Sequence, residues 1–314
     1  LSQATHQYSK TGKLGKEFNI WVSCSFKIVT SLVRLRSSIR NDVPSNLEKA
    51  LFSDLSNIVN AYTVDFVHKV PIINTLSALV KGKWNESQPS MLAHMNSEMA
   101  NVLLNTVYED ILSEESPVEL KVSLFKFIEA VMQNNQKGLS LFMISGTSVL
   151  NGKLSMVLGD RSLLQLLKAE LCKIGNYGSE YTYYMLSAIS ACISVWMSVS
   201  DDSNDLQFIE TLIKLIEKQS EKDQETMSLM ETENLAKAVE ITSLYLFVSN
   251  GKNKSCEEKI FNLLNSSTFI KILPLKFRLK ANDNTLTKSL KLRIEKMFSG
   301  KVSLSDLQRS APLS

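Results

Sequence analysis

The chain has 314 residues, of which 44% are hydrophobic and 21% charged, and it contains only 11 glycines and 6 prolines. This composition excludes collagen-like, low-complexity and wholly disordered chains. A net charge of +3 is too balanced for a protein built mainly to neutralise phosphates, so no specific nucleic-acid partner is predicted. The only three histidines are His6, His68 and His94, which offer little material for a metal or catalytic site.

The first residues are polar and the sequence does not begin with methionine. We therefore predict a flexible lead-in over residues 1–16 and expect the chain to be a section of a longer protein. The four cysteines, Cys24, Cys172, Cys192 and Cys256, are widely spaced and contain no CxxC pair. This spacing is typical of reduced cysteines in an intracellular protein.

Apolar residues recur at three- and four-residue spacing almost throughout, which predicts an all-α chain. The first helices are expected over residues 17–40, 47–69, 72–79 and 91–112. Capping boxes are predicted at Ser116–Glu119 and Ser255–Glu258, where a serine precedes a glutamate by two or three residues. Helices of this length with short connections, but without an exact repeat, predict a degenerate HEAT/ARM-like α-solenoid of stacked antiparallel helix pairs. We expect one solenoid segment over residues 17–300 and a C-terminal tail over 301–314.

The least charged stretch, Tyr181–Val199, is 19 residues long and close to the length that crosses a bilayer. It contains five serine or threonine residues, and no lysine or arginine flanks it closely. A helix buried between neighbours should be apolar nearly all round. We therefore interpret the stretch as a buried central helix and predict no transmembrane span.

Charge is unevenly distributed along the chain. Residues 201–233 hold ten acidic residues against three lysines, a balance of −7, and residues 252–301 hold twelve basic against four acidic residues, a balance of +8. Two interpretations stay open, namely solvated helix faces or docking surfaces for oppositely charged partners.

Sequence motifs of catalysis are missing: there is no HExxH, GxSxG, P-loop or dinucleotide-binding pattern. No catalytic, cofactor-binding or metal residue is predicted, and the chain is not expected to be an enzyme. An all-α enzyme whose pocket gathers Glu, Asp, Lys or Tyr side chains from distant helices is the class that sequence spacing leaves open.

The most distinctive passage is 119–146, an amphipathic helix followed by a Gln/Asn-rich break and a short apolar helix. Its Gln136, Gly138, Leu139, Phe142 and Gly146 resemble a unit of the large α-solenoid scaffold nucleoporins of the inner ring of the nuclear pore complex. The resemblance implies a non-enzymatic subunit without cofactors, located at the nuclear envelope. It also implies that the partners are other nucleoporins, including short helical linker motifs laid in a hydrophobic groove, and it allows contact with karyopherins. No binding residue is carried over from this one passage.

The leading hypothesis is thus a scaffold segment of an inner-ring nucleoporin that supports nucleocytoplasmic transport. The alternative is a HEAT-repeat adaptor for transport or vesicle trafficking, whose partners would be soluble cargo or a GTPase.

Overall fold

Thirteen α-helices and one β-hairpin follow one another in the computed structural model, counted over the residues that it describes. Those residues are 13–39, 43–64, 67–82, 84, 88–95, 97–134, 136–145, 147–150, 153–156, 162–173, 178–196, 205–222, 227–249 and 251–266. The chain divides into two units, Leu1–Asn265 and Ser266–Ser314. All the described helices and strands lie in the first unit, and only Ser266 of the second is described.

The helices vary in length from one to seven turns. Before the hairpin they are α1 (Lys13–Ser38), α2 (Asn46–Ser53), α3 (Leu55–Val64), α4 (Lys69–Val80), α5 (Met91–His94), α6 (Ser97–Leu112), α7 (Val118–Gln133) and α8 (Lys137–Ser145). The hairpin strands are β1 (Thr147–Leu150) and β2 (Lys153–Met156). After it come α9 (Leu163–Cys172), α10 (Ser179–Trp196), α11 (Asp205–Ser220), α12 (Leu229–Ser249) and α13 (Lys254–Leu264).

The longer helices stack in two rows. In the first row each of α1, α4, α7, α10 and α12 packs on the next, and in the second row α3, α6, α9, α11 and α13 do the same. The rows contact each other through helices that are adjacent along the chain, such as α3 with α4 and α6 with α7. Such stacking of successive helical units is the arrangement of an α-solenoid, and the predicted fold class is confirmed.

Helix α10 lies in the first row between α7 and α12. Apart from Tyr183 and Tyr184, every residue from Tyr181 to Ile193 is buried. Among the described residues, no helix has both the length and the apolar character needed to span a membrane. The apolar stretch is therefore a central helix of the stack, as predicted, and its small side chains let the neighbouring helices approach.

The hairpin is an addition that the all-α prediction did not contain. Its strands pair antiparallel in a register that sets Thr147 opposite Met156 and Leu150 opposite Lys153. The two residues between the strands are Asn151-Gly152, a sequence that favours the tightest hairpin turns.

Both predicted capping boxes are wrong in detail. Helix α7 begins after Pro117, which makes no side-chain cap, and α13 is capped by Asn253, which accepts from the Cys256 N–H at 3.3 Å. Two other Ser-x-x-Glu sequences form reciprocal boxes. Ser45 and Glu48 cap α2, and Ser228 and Glu231 cap α12. A serine followed by glutamate three residues later forms the box only where the helix begins directly after the serine.

Two predicted helices are interrupted. The helix expected over 47–69 ends first at Ser53 and resumes at Leu55, and the one expected over 91–112 ends at His94 and resumes at Ser97. Helix α1 begins at Lys13, inside the predicted lead-in. Residues 1–12 and 267–314 lie outside the described residues, so a flexible lead-in before α1, the end of the segment at 300 and the tail stay predictions.

Candidate functional site

The titratable side chains of the described residues form no metal centre. No three His, Cys, Asp or Glu side chains meet there in a way that could hold a metal ion. The ring of His68 is buried with Nε2 3.1 Å from the Asn19 carbonyl oxygen, and His94 Nδ1 lies 3.0 Å from the Ser90 carbonyl oxygen. Burial raises the pKa of the Cys192 thiol to about 12, so this thiol stays protonated and unreactive at neutral pH.

A buried Lys-Asp-Tyr cluster joins α3, α4 and α6. Lys69 Nζ lies 2.7 and 2.8 Å from the two carboxylate oxygens of Asp110, and the Tyr62 hydroxyl donates to Asp110 Oδ2 at 2.7 Å. All three side chains are buried. Burial first, and then the Asp110 charge, raises the pKa of Tyr62 far above its ordinary value, which keeps the hydroxyl a donor. The cluster links the second row to the first.

A second cluster of the same composition joins α9, α11 and α12. Lys168 Nζ lies 2.6 Å from Asp205 Oδ1, and the Tyr245 hydroxyl donates to Asp205 Oδ2 at 2.9 Å. The side chains of Lys168 and Asp205 are each only 1% exposed. Both carboxylate oxygens are thereby hydrogen-bonded, which is the condition under which a buried ion pair is tolerated.

A third buried pair connects α1 with α2. Arg36 Nη2 lies 2.5 Å from Glu48 Oε1, while the other carboxylate oxygen of Glu48 accepts from the Ser45 N–H and hydroxyl. Gly82 passes close to this pair: a Cβ there would lie 3.1 Å from Arg36 Nη2 and 3.2 Å from Glu48 Oε1. Each of these buried polar groups ties neighbouring helices together.

The passage that carries the resemblance is a structural junction between α5, α7 and α8. Gln136, between α7 and α8, is buried; its Oε1 accepts from the Met91 N–H at 2.8 Å, and its Nε2 donates to the Pro89 carbonyl at 3.0 Å. The glycine at position 138 allows α5 to approach closely, because a Cβ there would lie only 3.0 Å from Leu92 Cδ2. Leu139 and Phe142 are buried on the inner face of α8. Gly146 lies outside the described residues.

Apolar side chains form an exposed stripe along α1, here called the α1 stripe. Its members are all at least half exposed: Ile20, Trp21, Ile28, Leu32, Leu35 and, directly after the helix, Ile39. Ile28 follows Trp21 by seven residues, which is two helical turns, and from Ile28 onwards the spacing is three or four residues. The opposite side of the helix buries Val22, Phe26 and Val33, the side on which the helix packs against α4. A contiguous apolar surface of this kind on a polar chain marks an interaction site. Sequence periodicity missed it, because it cannot tell which of two apolar faces is covered.

Among the described residues, one ion pair joins the acidic segment 201–233 to the basic segment 252–301. Lys259 on α13 lies 2.7 Å from Glu210 on α11, and this hydrogen bond lowers the pKa of Glu210. Within the acidic segment, Asp205 is also held internally by its buried cluster, and Glu231 pairs with Lys222 and caps α12. Residues 201–204, 223–226 and 267–301 lie outside the described residues, so docking by these segments stays a prediction.

The cap of α12 makes a pH-dependent contribution to stability. Hydrogen bonds from Lys222 and then from the Ser228 backbone and hydroxyl lower the pKa of Glu231 from 4.5 to about 2. The stabilisation is present above pH 4.5 and is lost as the pH falls towards 2, because the folded state holds the ionised form. We expect Glu231→Gln to lower the midpoint of thermal unfolding at pH 6, and the difference from wild type to shrink between pH 4.5 and 3. Glu217→Gln, an exposed change on α11, is the control and should show neither effect; a difference independent of pH would contradict the role of the carboxylate.

Comparison with known proteins places this chain beside large nucleoporins. Residues 1–147 match the family of the N-terminal subdomain III of nucleoporin Nup188. Nucleoporin NUP188 of Saccharomyces cerevisiae is 28% identical over 299 residues, covering 91% of this chain and 18% of the relative. Nucleoporin nup184 of Schizosaccharomyces pombe is 27% identical over 163 residues, covering 50% of this chain and 10% of the relative. The chain thus spans less than a fifth of the length of these relatives, and its resemblance to the large scaffold nucleoporins is confirmed.

Proposed function

From this similarity to large inner-ring scaffold nucleoporins, we propose that the chain is a structural segment of a nuclear pore complex subunit at the nuclear envelope. The observation that carries the proposal is the alignment with nucleoporin NUP188, which covers 91% of the chain. The segment performs no catalysis. It contributes a stack of helices to a longer scaffold and in this way supports nucleocytoplasmic transport.

The packing of the described helices supports a mechanical role. Stability in such stacks comes from contacts between neighbouring helices, so each interface must be fixed to give a stiff rod. Here the Asp110 and Asp205 clusters each tie three helices together by charge-assisted hydrogen bonds, which are stronger and more directional than contacts between neutral groups.

The α1 stripe supports a place inside a longer stack. Each interior helix of the first row packs on a row neighbour on both sides, whereas α1, the first described helix of the row, has only α4 as a row neighbour and exposes the stripe. The matched relatives are more than five times longer than this chain. We assign the stripe to contact with further helices of the same parent protein, which would continue the first row.

The partners of the segment are other nucleoporins, in this proposal. Short amphipathic helices of linker nucleoporins would bind in grooves between stacked helices, and karyopherins are further candidates for transient contact.

Localisation and co-purification of the tagged full-length protein test the assignment. We expect fluorescence at the nuclear rim and capture of other pore subunits. A diffuse cytoplasmic signal with a GTPase or vesicle cargo as the main captured partner would overturn the proposal in favour of the trafficking adaptor.

The α1 stripe allows a sharper test within the same experiment. Ile28→Asp with Leu32→Asp should change the free energy of unfolding of the 314-residue chain by less than about 1 kcal/mol, because both side chains are already exposed. In the full-length protein the same double variant should lower the midpoint of thermal unfolding and weaken the rim signal. The control, Ser53→Asp with Asn105→Asp, adds the same charge to exposed positions on α2 and α6, away from the stripe. Equal behaviour of the two double variants in the full-length protein would contradict the assigned contact.

A further inference from the structure

A cavity of about 340 Å³ lies on the first row, between α1, α4 and α7. It is lined by Arg34, Ser37, Ser38, Asn74, Ser77, Ala78, Lys81 and Lys126. Each of the three helices, or the residue that caps it, contributes one cation, and none of these lining residues is acidic. Its volume is in the range of pockets that hold small ligands or single side chains.

The three cations of this cavity differ from three of the four buried cations of the described residues; the fourth, Lys121, likewise makes no ion pair there. Arg36, Lys69 and Lys168 each have a carboxylate within 2.8 Å. By contrast, Arg34, Lys81 and Lys126 make no ion pair with any carboxylate of the described residues. Lys126 Nζ instead lies 3.9 Å from the centroid of the Tyr184 ring, which holds the ammonium group beside the cavity. A concave surface with three unneutralised cations attracts anions.

Two hydroxyl groups of the cavity give a second, independent indication. The oxygens of Ser37 and Ser77 are buried and have no hydrogen-bond partner in the described part of the chain, and the Ser77 residue is only 4% exposed. A buried polar group without a partner destabilises a fold, and a bound water or ion is one of the partners that satisfy such groups in native proteins. The oxygens of an anion could accept hydrogen bonds from both hydroxyls.

We propose that this cavity binds an acidic segment of a partner protein, with a carboxylate or phosphate group between Arg34, Lys81 and Lys126. The cations stand on successive helices of the first row, so an extended peptide that crosses the row can meet each in turn. Nucleic acid fits less well, because phosphate-backbone binding requires a long run of cations, whereas the chain carries a net charge of only +3. The proposal does not depend on the assignment to the nuclear pore.

Fluorescence polarisation with the 314-residue chain tests the site directly. The probe is a labelled twelve-residue peptide with six aspartate or glutamate residues, and the control peptide carries asparagine and glutamine at those positions. We expect saturable binding of the acidic peptide, weakening as NaCl rises from 50 to 300 mM, and no binding of the control peptide. Equal binding of both peptides would overturn the proposal.

Charge removal in the cavity identifies where the peptide binds. The triple variant Arg34→Gln, Lys81→Gln and Lys126→Gln should weaken binding by about tenfold or more, as expected for the loss of charge-assisted contacts. The matched control, Lys49→Gln with Lys214→Gln and Lys218→Gln, removes the same charge from exposed positions elsewhere and should weaken binding less than about twofold. If both triple variants bound the peptide equally weakly, the attraction would be non-specific and the assignment of the peptide to this cavity would be overturned.

Two further arms separate the role of Ser77 and the source of the anion. Ser77→Ala removes an unpaired buried hydroxyl, so it should leave the unfolding midpoint unchanged or raise it while weakening peptide binding by about threefold or more. Unchanged affinity of this variant would show that the Ser77 hydroxyl does not contact the peptide.

Competition experiments identify the source of the anion. If inorganic phosphate displaced the probe at the same concentration as an unlabelled acidic peptide, the cavity would be a small-anion site and the peptide assignment would be overturned. A phosphoserine version of the probe that binds as tightly as the acidic probe would support the peptide assignment.

Discussion

Replacing Asp205 by alanine is expected to lower the free energy of unfolding of this chain by about 3–5 kcal/mol, because it leaves a buried ammonium without its carboxylate. Lys168 is 1% exposed and lies 2.6 Å from Asp205, and the Tyr245 hydroxyl would lose its acceptor as well. Chemical denaturation followed by circular dichroism measures the total effect. Because stacked helices can unfold in parts, hydrogen exchange should show the largest loss of protection in α9, α11 and α12.

Two further variants separate the buried charge from the loss of packing. Glu217→Ala removes an exposed carboxylate of the same helix and should change the free energy of unfolding by less than about 0.5 kcal/mol. Replacing the whole cluster, with Lys168→Met, Asp205→Leu and Tyr245→Phe, should recover most of the lost stability, since apolar side chains of similar volume leave neither a buried charge nor the Tyr245 hydroxyl without its partner. If Asp205→Ala were as stable as wild type, the cluster would not hold these helices together.

Replacing Gln136 by alanine is expected to destabilise the chain by about 2–3 kcal/mol, because two hydrogen bonds are lost and the buried groups they satisfy stay behind. The Met91 N–H begins α5 and has no acceptor within its own helix, so the Gln136 side chain acts as its cap. The Pro89 carbonyl loses its donor at the same time. Denaturation gives the size of the effect, and exchange of the amides of residues 91–95 gives its location.

Gln133→Ala provides a matched control for this junction. Gln133 is an exposed glutamine at the end of α7, and its one described side-chain contact is a 3.5 Å approach to Glu129 on the same helix. We expect less than about 0.5 kcal/mol from this change. Should the two alanine variants have equal stability, the role of Gln136 in fixing α5 would be contradicted.

Sequence periodicity predicted the architecture well because the buried apolar residues of a helix recur at three- and four-residue spacing. It placed α1 and α4 within a few residues of their observed ends. Breaks within helices were harder, since Asp54 and Met95 end a helix through local hydrogen bonding rather than through a glycine or proline. One feature of the sequence indicates the hairpin, namely the dipeptide Asn151-Gly152 between two short strands. This dipeptide is a strong predictor of a hairpin turn although it is only two residues long.

The sequence alone determined that this chain is mostly helical, that its most apolar stretch holds a buried helix, which covers 181–193, and that residues 119–146 resemble a scaffold nucleoporin. Only the tertiary structure decided which residues meet. The Lys168–Asp205 and Lys69–Asp110 pairs join residues 37 and 41 positions apart, and the basic cavity takes one cation from each of three stacked helices. Periodicity records how apolar a helical face is, whereas the pairing of charges and the covering of a face depend on which helices become neighbours when the chain stacks.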